Sequence, residues 1–122
     1  MTTISNPGPG FILVVAETPV FNGNSPGVVA WTDLDLSAVV GAQPALVLIK
    51  IAGSVSDYHV RKNGDADDFT GAIASAWGCA SSRGDAVQHT VLLVATDDAG
   101  VIEWKASIIN TPVQIDIIGY VS

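Results

Sequence analysis

Hydrophobic positions in this chain recur mostly at a spacing of two, in short runs separated by Gly, Pro, Asn and Asp, the pattern of β-strands punctuated by turns. The closing run, residues 113–121, is the most informative. Val113, Ile115, Ile117 and Val121 share one register, while the other carries Gln114 and Asp116 and then turns apolar at Ile118 and Tyr120. A strand of this kind needs cover on both sides of its second half, so Ile118 and Tyr120 are candidate contacts with another subunit. Residues 45–52 are apolar on both faces until Lys50, which predicts a strand in a doubly covered sheet and adds Leu46 and Leu48 to the candidate interface.

Further strands are expected over 11–16, over 28–33 after the turn-rich Asn22-Gly23-Asn24-Ser25-Pro26-Gly27, and over 57–62, 87–96 and 101–107. In the 57–62 run Tyr58 and Val60 oppose His59 and Arg61, and in the last run Ile102 and Trp104 oppose Glu103 and Lys105. Asp97-Asp98-Ala99-Gly100 predicts a hairpin joining the last two runs. Residues 34–40 suit either one helical turn or a short strand. The alanines of 69–77 suit a helix, but Gly71 and Gly78 bracket them. Asn6-Pro7-Gly8-Pro9-Gly10 can extend neither ladder nor helix, so residues 1–10 are expected to form an arm and 11–122 the folded body. Seven or eight short strands without a βαβ rhythm indicate an all-β, antiparallel β-sandwich of jelly-roll-like type in a single domain.

Composition sharpens the picture. In a chain of 122 residues only 14% are charged, against roughly 25% in an average soluble domain, while 48% are hydrophobic. The mean hydropathy is +0.43 and no apolar run approaches the ~18 residues that span a bilayer, so the excess is expected to serve subunit contacts rather than a membrane. Twelve acidic against five scattered basic residues give a net charge of −7, which argues against binding nucleic-acid phosphates. One cysteine, Cys79, excludes an internal disulfide and a Cys-rich zinc site. The N-terminus lacks a basic n-region and 11–16 is too short for a signal-peptide core, so cytoplasmic synthesis is expected.

Candidate chemistry is sparse. Asn63-Gly64-Asp65-Ala66-Asp67-Asp68 sets oxygen ligands at alternate positions, and Asp65, Asp67 and Asp68 would suit calcium, although the loop departs from EF-hand spacing and also reads as a solvated acidic turn. Asp33 and Asp35 read as turn caps. No Gly-x-Ser-x-Gly elbow is present, nothing near Cys79 would activate a thiolate for His59 or His89, and no carboxylate pair stands out for glycoside cleavage. Arg83-Gly84-Asp85 matches the adhesion tripeptide but equally fits a tight turn. Trp31 and Trp77, in less regular surroundings than Trp104, are candidates for stacking on a sugar. No catalytic residue and no cofactor, calcium aside, is assigned.

Taken together, Trp31-Thr32-Asp33-Leu34-Asp35-Leu36-Ser37, the apolar run 45–52, Tyr58-His59-Val60-Arg61-Lys62-Asn63-Gly64-Asp65, Ile102-Glu103-Trp104-Lys105 and Ile117-Ile118-Gly119-Tyr120-Val121 resemble the small β-sandwich modules of tailed-bacteriophage virion proteins. These modules serve in head decoration, fibres and tails and are often trimeric. The resemblance covers about residues 28–121 and lies in strands and turns rather than in a catalytic motif. It implies a structural, non-enzymatic virion component, most simply a homotrimeric decoration or cement protein on the major capsid protein. Its alternative is a carbohydrate- or receptor-binding module at a fibre or tail tip.

Overall fold

The computed structural model describes residues 10–13, 19–53, 56–66, 79–82 and 88–122. Among them the chain forms nine strands and one helical turn: β1 (Phe11–Leu13), β2 (Pro19–Asn24), β3 (Thr32–Asp35), α1 (Ser37–Val40), β4 (Leu46–Gly53), β5 (Tyr58–Lys62), β6 (Cys79–Ser82), β7 (Gln88–Ala95), β8 (Val101–Ala106) and β9 (Pro112–Val121). Every pairing is antiparallel. One sheet runs β1-β9-β4-β7, with β2 beside β1 on the same edge of β9, and the other runs β3-β8-β5-β6. The expected all-β sandwich is therefore present. The arm expected over 1–10, apart from Gly10, and the ambiguous stretch 69–77 lie outside the described residues.

Alternation places the core between the sheets. Val47, Ile49 and Ile51 of β4, with Val113, Ile115 and Ile117 of β9, face Tyr58 and Val60 of β5 and Ile102 and Trp104 of β8, all essentially buried. Burying a large aliphatic side chain contributes ~1.5–3 kcal/mol, so these inner rows dominate the stability of the fold. Trp104 is 1% exposed and its ring meets Phe21 of β2 at 4.9 Å. Tyr58 spans the sandwich to Gly53, where any Cβ would overlap its hydroxyl. Burial pushes the Tyr58 hydroxyl above its ordinary pKa, partly offset by a hydrogen bond with Ser56.

Three expectations are corrected here. Asp97 to Gly100 does make a tight turn, with Asp97 Oδ1 accepting from the amides of Ala99 and Val101, both at 2.9 Å. The strands it joins do not form a hairpin, because β7 pairs with β4 in one sheet and β8 with β3 and β5 in the other. The turn is an arch between layers. It docks through Gly100, whose φ is +80° and whose carbonyl accepts from Leu36 N at 2.9 Å; a Cβ there would overlap the Gly41 carbonyl. Secondly, the strand expected over 28–33 begins at Thr32, and Val28 to Ala30 are exposed loop. Thirdly, β2 occupies residues whose Asn22-Gly23-Asn24 composition reads as turn, because pairing with the start of β9 overrides local preference.

Residues 34–40 supply both expected alternatives, the end of β3 and then α1. Asp35 Oδ1 accepts the Ser37 amide at 2.8 Å, the expected turn cap, and its hydrogen bonds from Ser37 hold the carboxyl below its usual range.

The apolar tail of β9 is also rearranged. Leu48 pairs with Gly119 but Ile49 with Ile117, so Ile118 is an extra, bulged residue. A one-residue insertion reverses the facing of the residues after it. Tyr120, opposite buried Val47, turns inward and packs on the core, whereas Val121 turns outward opposite Leu46.

Candidate functional site

The outer face of the larger sheet holds two of the four expected interface residues, Leu46 and Leu48. Its strand register arranges them in rows running across β9, β4 and β7. At one end Val121, Leu46 and Ala95 are cross-strand neighbours, and the next row is Gly119, Leu48 and Leu93. Leu46 is 44% exposed, Leu93 54% and Val91, one row further, 50%. This half of the face is apolar and open to water. Leu46 and Leu48 therefore lie on it as expected, Ile118 sits half-buried in the bulge beside it, and Tyr120 is on the opposite, inner side. Val91 and Leu93 complete the patch. Their signal was the run of apolar residues over 91–94, which leaves no polar register for a solvated face.

Polarity rises along the same face. In the next row Asp116 pairs with both Pro19 and Lys50, and Lys50 with Val91; Asp116 is only 2% exposed. Beyond it Asn22, Gln114, Ala52 and His89 lie in one row across four strands. Gln114 Nε2 donates to both carboxylate oxygens of Asp116, at 3.1 and 3.2 Å. A cavity of about 340 Å³ opens over this row.

On the other sheet the outer face is charged. Arg61 and Glu103 are cross-strand partners and form a half-buried ion pair, Nε to Oε1 at 3.0 Å. Trp31 lies over them: the Arg61 guanidinium carbon is 4.1 Å and Lys105 Nζ 4.7 Å from its ring centroid, and His59 meets it edge-on at 6.4 Å. Stacking of this kind is worth ~0.5–2 kcal/mol per cation, and it accounts for Lys105 being only 6% exposed. Trp31 thus already has a packing partner for its π-surface. Trp77 lies outside the described residues.

At one end of the sandwich two loops are joined by Ser25. Its backbone amide donates to Thr111 O at 2.7 Å, its hydroxyl donates to Ile108 O at 2.8 Å, and Thr111 N donates to that hydroxyl at 3.1 Å. The joined loops carry exposed Val28 and Val29 on one and exposed Ile108 and Ile109 on the other.

The acidic loop is described only in part. Asp65 N donates to Lys62 O at 3.0 Å, closing a turn in which Gly64 takes φ +85°, and Asn63 Nδ2 donates to Asp97 Oδ2 at 2.8 Å. Hydrogen bonds from Val101 and Asn63 hold the Asp97 carboxyl below its usual range. Asp67 and Asp68 lie outside the described residues, as does the Arg83-Gly84-Asp85 tripeptide. Among the described residues no group of three or more His, Cys, Asp or Glu side chains is placed to hold a metal ion, and no helix is long and apolar enough to cross a membrane.

No protein-family model, curated protein or solved structure matches the chain.

Proposed function

We propose that this protein is a structural assembly module, a jelly-roll sandwich that self-associates through the outer face of its larger sheet and caps or decorates a larger particle. The observation that carries the reading is the apolar half of that face, where Leu46, Val91 and Leu93 stand about half exposed around Leu48. Leaving such a patch in water is costly, and a second copy of the chain is its simplest cover. Among the described residues β7 lies at the neighbouring edge of the sheet, which invites the same contact. β7 (Gln-His-Thr-Val-Leu-Leu-Val-Ala) holds no Pro, Lys, Arg, Asp or Glu and pairs with β4 without a bulge, so it lacks the usual devices that discourage edge-to-edge association.

Strand order supports the jelly-roll description. β2 pairs with β9, β3 with β8, β4 with β7 and β5 with β6, which is a set of nested pairings produced by wrapping one long hairpin around a barrel. The architecture recurs in viral capsid domains and in lectins, an analogy of fold that supports a coat component. Together with the resemblance to tailed-bacteriophage modules, it favours a homotrimeric head-decoration or cement protein bound to the major capsid protein, synthesised in the host cytoplasm and acting on the virion. Binding only the assembled lattice would stabilise it by mass action, with no chemistry required. The acidic surface would keep free copies apart beforehand.

Purified virions test this directly. The protein should co-purify with them and its density should lie on the head lattice. Density at a fibre or tail tip would favour the receptor-binding alternative, and absence from particles would remove the virion reading.

A further inference from the structure

We infer that the polar end of the larger sheet's outer face is a binding site for a neutral sugar. Asn22, Gln114, Ala52 and His89 are successive cross-strand neighbours on β2, β9, β4 and β7, so their side chains stand in one line on one surface. Ala52 is the small member. With strands about 4.8 Å apart, it leaves a gap of roughly 10 Å between Gln114 and His89, and this gap is part of the cavity of about 340 Å³ walled by Pro112 and Val113. That volume is near the lower limit for small-molecule sites and suits one or two sugar rings.

The chemistry of the lining selects the ligand. Amides and imidazole each offer donors and acceptors, as hydroxyl groups do, and no charged side chain lines the cavity among the described residues. A phosphate or carboxylate would find no cation in the lining. Ala52 and Pro112 supply the apolar surface that the C–H face of a sugar ring requires.

Gln114 is held in place for this role. The Asp116 carboxylate only accepts hydrogen bonds, so it draws the Gln114 NH₂ group to itself and leaves Gln114 Oε1 as a fixed acceptor for a sugar hydroxyl. Asp116 is a positioning residue, buried and one row away. Asn22 and His89 are exposed and free to adapt to ligand stereochemistry. A peptide would be expected at a sheet edge instead, since the groove runs across the strands rather than along one.

Titration of the whole protein with the methyl glycosides of mannose, galactose, glucose and N-acetylglucosamine, followed by amide NMR, tests the site. At least one should give saturable shifts confined to Asn22, Ala52, His89 and Gln114, with a dissociation constant on the order of 1 mM for a ligand of this size. Ala52→Leu, which fills the floor from the solvent side, should abolish them. Gln114→Ala should weaken binding about tenfold, the effect of one lost hydrogen bond. Absence of saturable shifts with all four glycosides overturns the inference. So do shifts that survive Ala52→Leu, or shifts centred on Trp31 instead.

Discussion

Trp104 shows how much a single position carries. It alternates with Glu103 and Lys105 on β8, which by period alone directs it inward, and the structure leaves it 1% exposed against Phe21. Trp104→Ala should lower unfolding free energy by roughly 3–5 kcal/mol in urea titration, because the cavity cannot close between two hydrogen-bonded sheets. Asp97 acts by charge as well as by geometry. Its folded pKa lies below the unfolded value of 3.8, so its contribution is present above that value and is lost as pH falls through the folded one. Unfolding measured from about pH 5 down to pH 2 should therefore steepen below pH ~4. Asp97→Asn, which retains an acceptor for the amides of Ala99 and Val101, should flatten that acid limb. An unchanged limb would place the titration elsewhere, with Asp35, whose pKa is also lowered, the first alternative.

Between elements, the loops decide which strands meet. Ser25 joins the β2–β3 loop to the β8–β9 loop through hydrogen bonds that reach 83 and 86 residues along the chain. Ser25→Ala should cost about 1–3 kcal/mol, since it leaves buried groups unsatisfied, and should speed amide exchange at Asn110 and Thr111. Unchanged exchange there would mean that the loops hold without it. Local chemistry made β4, β5, β8 and the first half of β9 readable, because each keeps a period of two and has one face buried. It misled where a turn's own hydrogen bonds say nothing about the destination of its arms: Asp97 caps the same four residues whether β7 and β8 pair or part. β2 was hidden by Asn and Gly that only a partner strand makes extended. The bulge at Ile118, which sends Tyr120 inward, arises from register with β4, some 70 residues earlier in sequence. The same limit applies to the candidate sites. Leu46 and Leu48 were legible from their own strand, whereas the row Asn22, Gln114, Ala52, His89 exists only once four distant strands align.

For the whole molecule, nested pairing makes most contacts non-local. The fold should consequently form slowly for its size, with β5–β6 and β4–β7 closing before the outer pairs. Its two outer faces differ in kind. One is closed by Trp31 stacked on Arg61 and Lys105 beside an ion pair, and the other leaves half its area apolar next to an uncharged edge strand. That asymmetry is the physical basis for assigning one face to the protein's own copies, and sedimentation at micromolar concentration tests it most directly. The native chain should sediment as a multiple of 12.6 kDa, while Leu93→Asp, a change at a half-exposed position, should shift it to 12.6 kDa with its strand content by circular dichroism unchanged. A native protein that is already monomeric, or an oligomer indifferent to Leu93→Asp, would contradict the assignment.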